Sequence, residues 1–384
     1  MNLGLYIHFP FCRRKCSYCS FYSVPVDEND RNDETGIINK YLKALLSEIE
    51  KRSTELRDFE IDTIYLGGGS PSLLTSIQLN KIFSQIKKSL KLKDEKLEIT
   101  IECNPDDFSV NKIGEYKSVG INRVVLGVQT FNKRLHSILG RSACLCNDKM
   151  LSEFISFPDI VYCVDIIIGI PGQSERDLRE ELKKIVGYGI EHVSAYTLSI
   201  DAGTPLAKSG LQVKNLNNMQ RIFLERTMDF FTNAGYNHYE VSNYALPDFE
   251  SKHNLKYWKF MPYAGFGAGA HSFYNNERFY NPASIEEYIK MNGNIREKDK
   301  RTKNSEIVEY ILSGMRLAEG ISVKDFESKL GIGLSKELMS KFIDLQKKNL
   351  LEIEEFDNDM KVKFSRQGFF QMDGLIYEMT EMFL

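Results

Sequence analysis

The sequence predicts an α/β fold, a partial (β/α)6 TIM-like barrel followed by a small C-terminal helical, winged-helix-like domain. Short apolar runs alternate with longer amphipathic segments through the first half of the chain, the signature of strand–helix units and a parallel sheet. Polar residues with chemical potential fall at or near the carboxyl ends of those runs, where barrels of this kind keep their sites. The rhythm changes near Asp299-Lys300-Arg301-Thr302-Lys303, which reads as a polar linker into a second domain.

The first strand, Leu3 to His8, delivers the chain into Phe9-Pro10-Phe11 and a cysteine-rich loop. Residues 26–36 form an acidic run that reads as a solvated loop. A helix over Ile38 to Arg52 follows from apolar residues at Tyr41, Leu42, Leu45, Leu46 and Ile49. Further strands are expected at Thr63 to Leu66, Leu97 to Glu102, Arg123 to Gln129, Tyr162 to Ile168 and His192 to Ser199, which with the first makes six. Helices are expected between them at Gln78 to Leu90, Val110 to Val119, Lys133 to Phe154 and Glu175 to Tyr188, then at Asn215 to Asn233. Tyr236 to Val241 is a candidate seventh strand.

The strand ends carry the polar residues. The second strand ends in Gly67-Gly68-Gly69-Ser70-Pro71-Ser72, whose glycines let the backbone approach a ligand; with no Gly-Lys-Ser/Thr it is not a P-loop. Glu102-Cys103-Asn104-Pro105 ends the third strand, Gly127-Val128-Gln129-Thr130 the fourth, and Asp165 lies in the fifth. Buried charges need partners, so Glu102, Gln129 and Asp165 together point to a polar ligand in the barrel mouth.

Three of the seven cysteines, Cys12, Cys16 and Cys19, fall within eight residues, with Arg13, Arg14 and Lys15 between the first two. Closely spaced thiolates suit zinc or an iron–sulfur cluster. Structural zinc takes four ligands, and no second Cys or His pair follows at the expected distance. A 4Fe-4S cluster held by three cysteines keeps one iron open for an outside ligand.

The totals narrow the class. At 384 residues two domains are expected: 1–298, with an extension over about 236–298, and 299–384. Hydrophobic residues at 42% and charged residues at 27% are ordinary globular values and exclude disorder. A formal net charge of -3, from 50 basic and 53 acidic residues, gives no electrostatic footprint for nucleic acid. The N-terminus lacks a signal-peptide pattern, and no apolar run approaches a membrane span, so a cytoplasmic location is expected. The odd cysteine count, with three clustered, fits a reducing compartment.

A dense stretch runs from Tyr239-Glu240-Val241-Ser242-Asn243-Tyr244 through Ser251-Lys252-His253-Asn254-Leu255-Lys256-Tyr257-Trp258 to Gly265–Ser272, and holds the only tryptophan. On residues alone, His253 reads as a hydrogen-bonded core histidine among aromatics. The tail offers helices at Glu306 to Leu317, Val323 to Leu330 and Lys336 to Lys348, then a hairpin of Leu350 to Glu355 and Met360 to Phe364 turning at Asp357-Asn358-Asp359. Its 13 basic and 16 acidic residues argue against DNA binding and for packing or partner docking.

The spacing CxxxCxxC resembles that of the radical S-adenosylmethionine superfamily. Tyr6–Cys12, Gly67–Ser72, Glu102–Pro105, Gly127–Gln129, Leu139-Gly140-Arg141, Asp165–Gln173 and Gly265–Ser272 are similar, in order, to its coproporphyrinogen III oxidase-like branch. The oxygen-independent coproporphyrinogen III dehydrogenases of that branch carry a cysteine two residues after the third ligand, where this chain has Phe21. The haem-chaperone members have phenylalanine there and a His-Asn-x-x-Tyr-Trp motif, present as His253–Trp258. They usually place a histidine shortly after Leu-Gly-Arg, whereas this chain reads Ser142-Ala143-Cys144.

The resemblance implies that Cys12, Cys16 and Cys19 hold a 4Fe-4S cluster and that S-adenosylmethionine chelates its open iron. Tyr6 would pack beside the cluster site. Gly68, Gly69 and Ser70 would line the methionyl part, Glu102 and Arg141 would pair with its charged groups, and Gln129 and Asp165 would reach the ribose or nearby polar atoms. His253 would bind haem. The implied function is a haem chaperone passing haem to an acceptor protein, with at most peripheral membrane contact through that acceptor. The alternative is oxidative decarboxylation of coproporphyrinogen III, and a third reading is a radical enzyme with an unrelated substrate.

Overall fold

The computed structural model describes residues 1–27, 30, 35–93, 97–141, 144–209, 216–356 and 358–384. The expected acidic loop over 26–36 lies partly outside them. So do Ser142-Ala143, the first residue of the helix expected from Asn215, and Asp357 of the expected hairpin turn.

Six strands run as anticipated: β1 Asn2–Phe9, β2 Glu60–Gly68, β3 Glu98–Cys103, β4 Arg123–Gln129, β5 Val161–Ile168 and β6 His192–Thr197. Each pairs in parallel with the next. Helices α1 Ile37–Leu56, α2 Ser76–Ser89, α3 Val110–Ser118, α4 Lys133–Ile138, α5 Asp148–Phe154 and α6 Glu175–Gly187 form the crossovers. The helices bury one apolar face each: α1 gives Ile38, Tyr41, Leu45 and Ile49, and α2 gives Leu79, Ile82, Phe83 and Ile86, to one core shared with Leu3, Ile7, Ile61 and Ile101 of the strands. Both α2 and α6 start in reciprocal capping boxes, Thr75 with Gln78 and Ser174 with Asp177, which satisfy otherwise orphaned N–H groups.

The structure corrects two expectations. The single helix expected over Lys133 to Phe154 is two, α4 and α5, because Gly140 turns left-handed with φ +60° and Asn147 caps a fresh start. The seventh strand expected at Tyr236 to Val241 is replaced by two short strands, Asn237–His238 and Asn243–Ala245, that add antiparallel beside β6. A seventh parallel strand does exist, at Tyr263–Phe266, on the other side of β1. Beyond it the strands His271–Tyr274, Glu277–Tyr280 and Glu297–Lys298 continue antiparallel. The sheet's two outer strands, Glu297–Lys298 and Asn237–His238, do not pair, so the barrel stays open.

The tail holds the expected helices at Lys303–Gly314, Val323–Leu330 and Lys336–Lys347. The hairpin Leu351–Phe356 with Asp359–Phe364 gains a third strand, Ile321–Ser322, and two helices follow at Arg366–Phe369 and Met372–Thr380. Its core, built on Phe326, Phe342, Leu345 and Met379, is continuous with Phe260, Tyr263 and Phe273 of the barrel side.

Candidate functional site

The cysteine loop leaves β1 and is pinned to the start of the glycine turn after β2. Gly69 N–H donates to Phe9 O at 2.8 Å and Ser70 N–H to Phe11 O at 2.7 Å. A Cβ on Gly69 would lie 2.6–2.8 Å from Phe11 O, Phe9 O and Phe11 N, so only glycine permits this approach. Gly68 adopts φ +108° over the His8 ring, where a side chain would collide. The loop is closed by Val24 N–H to Pro10 O (2.7 Å) and Val26 N–H to Cys12 O (2.9 Å). Arg13 pairs with buried Asp107, which also accepts from Ser72. Ser70 Oγ sits 3.6 Å from Cys12 Sγ.

One cavity of about 380 Å³ opens at this end of the barrel. Cys12, Cys16, Cys19, Gly68, Gly69, Ser70, Glu102, Gln129, Arg141 and Asp165 all line it. Ten residues singled out from separate stretches of sequence therefore share one space. Tyr6 does not line it: its hydroxyl bonds His8 Nδ1 at 2.9 Å and its ring packs near Tyr65. The sequence reading missed Tyr18, Tyr65, Asn104 and Tyr196 on the cavity wall. Tyr18 was findable, standing inside the cysteine motif; Tyr65 alternates inward only once the register of β2 is known.

The polar walls are charged and incompletely paired. Glu102 accepts from Tyr65 Oη (2.8 Å) and Gly68 N–H (3.2 Å), and burial followed by the nearby Asp165 pushes its carboxyl up to about 7. Burial likewise pushes Asp165 up to about 6, opposed by Ser194 and Arg141. Arg141 donates to Gly127 O (2.7 Å), Tyr18 Oη (3.1 Å) and Asn104 Oδ1 (3.4 Å), while its Nε has no partner among the described residues. Gln129 holds φ +66° at a register shift between β4 and β5, which breaks the strand there. Such strain in a non-glycine residue is kept where the surroundings demand it.

Among the described residues no three Cys, His, Asp or Glu side chains converge as they would on a single metal ion. A four-iron cluster does not require that, since each thiolate takes a different iron. The three cysteines are free and half-buried around one opening, which suits such a cluster. Carboxylates raised by burial and an arginine with an idle donor suit a ligand bearing ammonium, carboxylate and hydroxyl groups.

His253 lies outside the cavity, although its neighbours Ser251 and Asn254 line it. It is fully buried, and both ring nitrogens are engaged, Nδ1 with Thr63 Oγ1 at 2.9 Å and Nε2 with Tyr257 Oη at 2.8 Å. Burial pushes its pKa down to about 3, with Lys256 adding to the effect. From residues alone His253 reads as a hydrogen-bonded core histidine among aromatics; here it is hydrogen-bonded and buried, with its ring stacked on that of Tyr65.

The model of the Radical SAM superfamily matches residues 6–185, and an open parallel barrel with a three-cysteine loop after β1 and a polar ring at the strand ends fits that class. The haem chaperone HemW of Buchnera aphidicola (Schizaphis graminum) is 33% identical over 89% of this chain and 90% of its own length. That of Bacillus subtilis is 32% identical over 94% and 95%, and that of Escherichia coli 32% over 70% and 69%. The chain belongs to the HemW haem chaperone family. The solved structure of Escherichia coli coproporphyrinogen III oxidase HemN covers 100% of this chain and 90% of its own with a TM-score of 0.81. At 18% identity that likeness speaks for the fold alone.

Proposed function

We propose that this protein is a haem chaperone that binds a 4Fe-4S cluster, S-adenosylmethionine and haem, and passes haem to an acceptor protein in the cytoplasm. The observation that carries the reading is likeness to HemW proteins along nearly the whole chain, tail included. Phe21 and the complete His253–Trp258 motif favour it over the decarboxylase. No described helix is long and apolar enough to cross a membrane.

Cys12, Cys16 and Cys19 would hold the cluster, which supplies an iron with an open coordination position. Gly68, Gly69 and Ser70 would face the methionyl part of S-adenosylmethionine, with Tyr6 packed behind them. Glu102 accepts hydrogen bonds from an ammonium, Arg141 offers its idle Nε to a carboxylate, and Gln129 and Asp165 meet sugar hydroxyls. The barrel and its extension, 1–298, form this centre, and 299–384 serve packing or docking of the acceptor.

Haem binding is assigned to the 253–258 segment with His253 as its ligand. In the present conformation His253 is locked, so ligation requires it to release Thr63 or Tyr257. Haem titration of the purified protein tests the reading: a Soret band that His253→Ala shifts or removes is expected. No band above background, or product from coproporphyrinogen III in an anaerobic assay, overturns it.

A further inference from the structure

The cavity does not stop at the strand ends. Along β4 every second residue from Gln129 through Gly127 and Val125 to Arg123 lines it, and along β6 Tyr196, Ser194 and His192 do the same. The walls therefore descend to the first residues of both strands, at the opposite end of the barrel from the cysteine loop.

At that floor two buried side-chain nitrogens lack a partner among the described residues. Arg123 is 3% exposed; its Nη1 donates to Phe249 O at 3.0 Å, and its Nη2 has no partner among the described residues. Glu98 stands 3.9 Å from Nη1, too long for a hydrogen bond, and already accepts from the backbone N–H groups of Lys252 (3.1 Å) and His253 (2.9 Å). His192 is also 3% exposed, and its Nδ1 has no partner among the described residues. Its Nε2 meets Tyr239 Oη at 2.8 Å, and that hydroxyl accepts from Ser251 N–H at 3.3 Å. Donation to Nε2 is the arrangement that gives the tyrosine proton an acceptor, and in it the neutral imidazole carries its own proton on Nδ1. Burial and the neighbouring Arg123 keep His192 neutral.

An arginine N–H and an imidazole N–H left unpartnered on residues of one cavity floor ask for an oxygen acceptor, and a guanidinium that hydrogen-bonds no carboxylate favours an anionic one. Leaving such donors unmet costs free energy in a native protein. Residues assigned to S-adenosylmethionine lie at the other end of the same strands and leave these donors unserved. We propose that the barrel floor formed by Arg123 and His192 is a second ligand subsite, taking the carboxylate of a small molecule. The subsite does not depend on whether the chain carries haem.

The test uses the full-length, cluster-loaded protein with [1-13C]acetate as probe, followed by NMR line broadening. Expected are saturable broadening, displacement by unlabelled acetate but not by acetamide, and weakening by about tenfold or more in both Arg123→Met and His192→Leu. Cluster absorbance and S-adenosylmethionine binding, measured in the same samples, should stay unchanged. Non-saturable broadening, equal competition by acetamide, or binding unaltered in the variants overturns the proposal and leaves ordered water as the floor's occupant. Should Arg123→Met fail to fold, as judged by its circular dichroism melt, His192→Leu decides alone.

Discussion

Gly69→Ala is the sharpest probe of how the cysteine loop is held. The added methyl group would meet three backbone atoms at 2.6–2.8 Å, and backbone cannot rotate aside as a side chain can. Relief requires the loop to part from the turn after β2, breaking Gly69 N–H to Phe9 O and Ser70 N–H to Phe11 O. Two such bonds contribute about 2 kcal/mol net, and residual overpacking costs about 1–3 kcal/mol. The variant should thus lose about 3–5 kcal/mol in urea unfolding. It should also lose iron and sulfide content, because Cys12 shifts with Phe11. Gly374→Ala is the control: it lies in the helix Met372–Thr380 with nothing near its Cβ position, and should gain up to about 1 kcal/mol. A Gly69→Ala protein that keeps full iron and unfolds within about 1 kcal/mol of wild type would refute the pinning argument.

Further expectations concern the cysteines, the acids and the tail. Cys16→Ala should fold with wild-type circular dichroism but fail to retain iron after anaerobic reconstitution, checked by iron analysis; full iron retention would exclude it as a ligand. The folded-state pKa of Asp165, about 6, lies above the ordinary carboxyl value, so its burial favours the folded state at about pH 4 and that advantage is lost as pH rises through 6. Relative to Asp165→Asn, wild type should lose about 2–3 kcal/mol between pH 4 and 7, and parallel stability curves would contradict this. Glu102→Gln should weaken S-adenosylmethionine binding by about tenfold or more in equilibrium dialysis, since it removes a charged acceptor. Phe342→Ala should cost about 3–5 kcal/mol from the tail core, measured by urea unfolding, while leaving iron content intact.

The strand–helix alternation was legible because each crossover helix carries its own apolar stripe and each parallel strand is a short apolar run. The break at Gly140 was not, because α4 and α5 together look like one periodic segment until a left-handed residue and a new cap intervene. Tyr263–Phe266 escaped notice for a different reason. Four residues between Pro262 and Gly267, with Gly265 among them, make a strand only because β1 offers an unpaired edge, and that edge is set by tertiary structure. Ten of the candidate site residues could be read from strand ends and motifs, yet the floor at Arg123 and His192 could not. Both residues begin strands, and inward orientation at a strand's start depends on register that no local pattern records.

His253 shows where resemblance and physical reading divide. The residue is held by two hydrogen bonds and a stack on Tyr65, and its imidazole stays neutral far below physiological pH. Neutrality suits a metal ligand, which must offer a lone pair. Accessibility does not, since each nitrogen already has a hydroxyl partner and the ring has no exposed edge. The helix Lys252–Trp258 is itself fixed at its start by Glu98 and along its length by Lys256, whose ammonium pairs with Asp62. Freeing His253 therefore means loosening that whole helix, and the same Glu98 carboxylate stands beside Arg123. Haem ligation by His253, as proposed, would then require a second state of this segment. The transition to it would be felt at the barrel floor as well as at the motif.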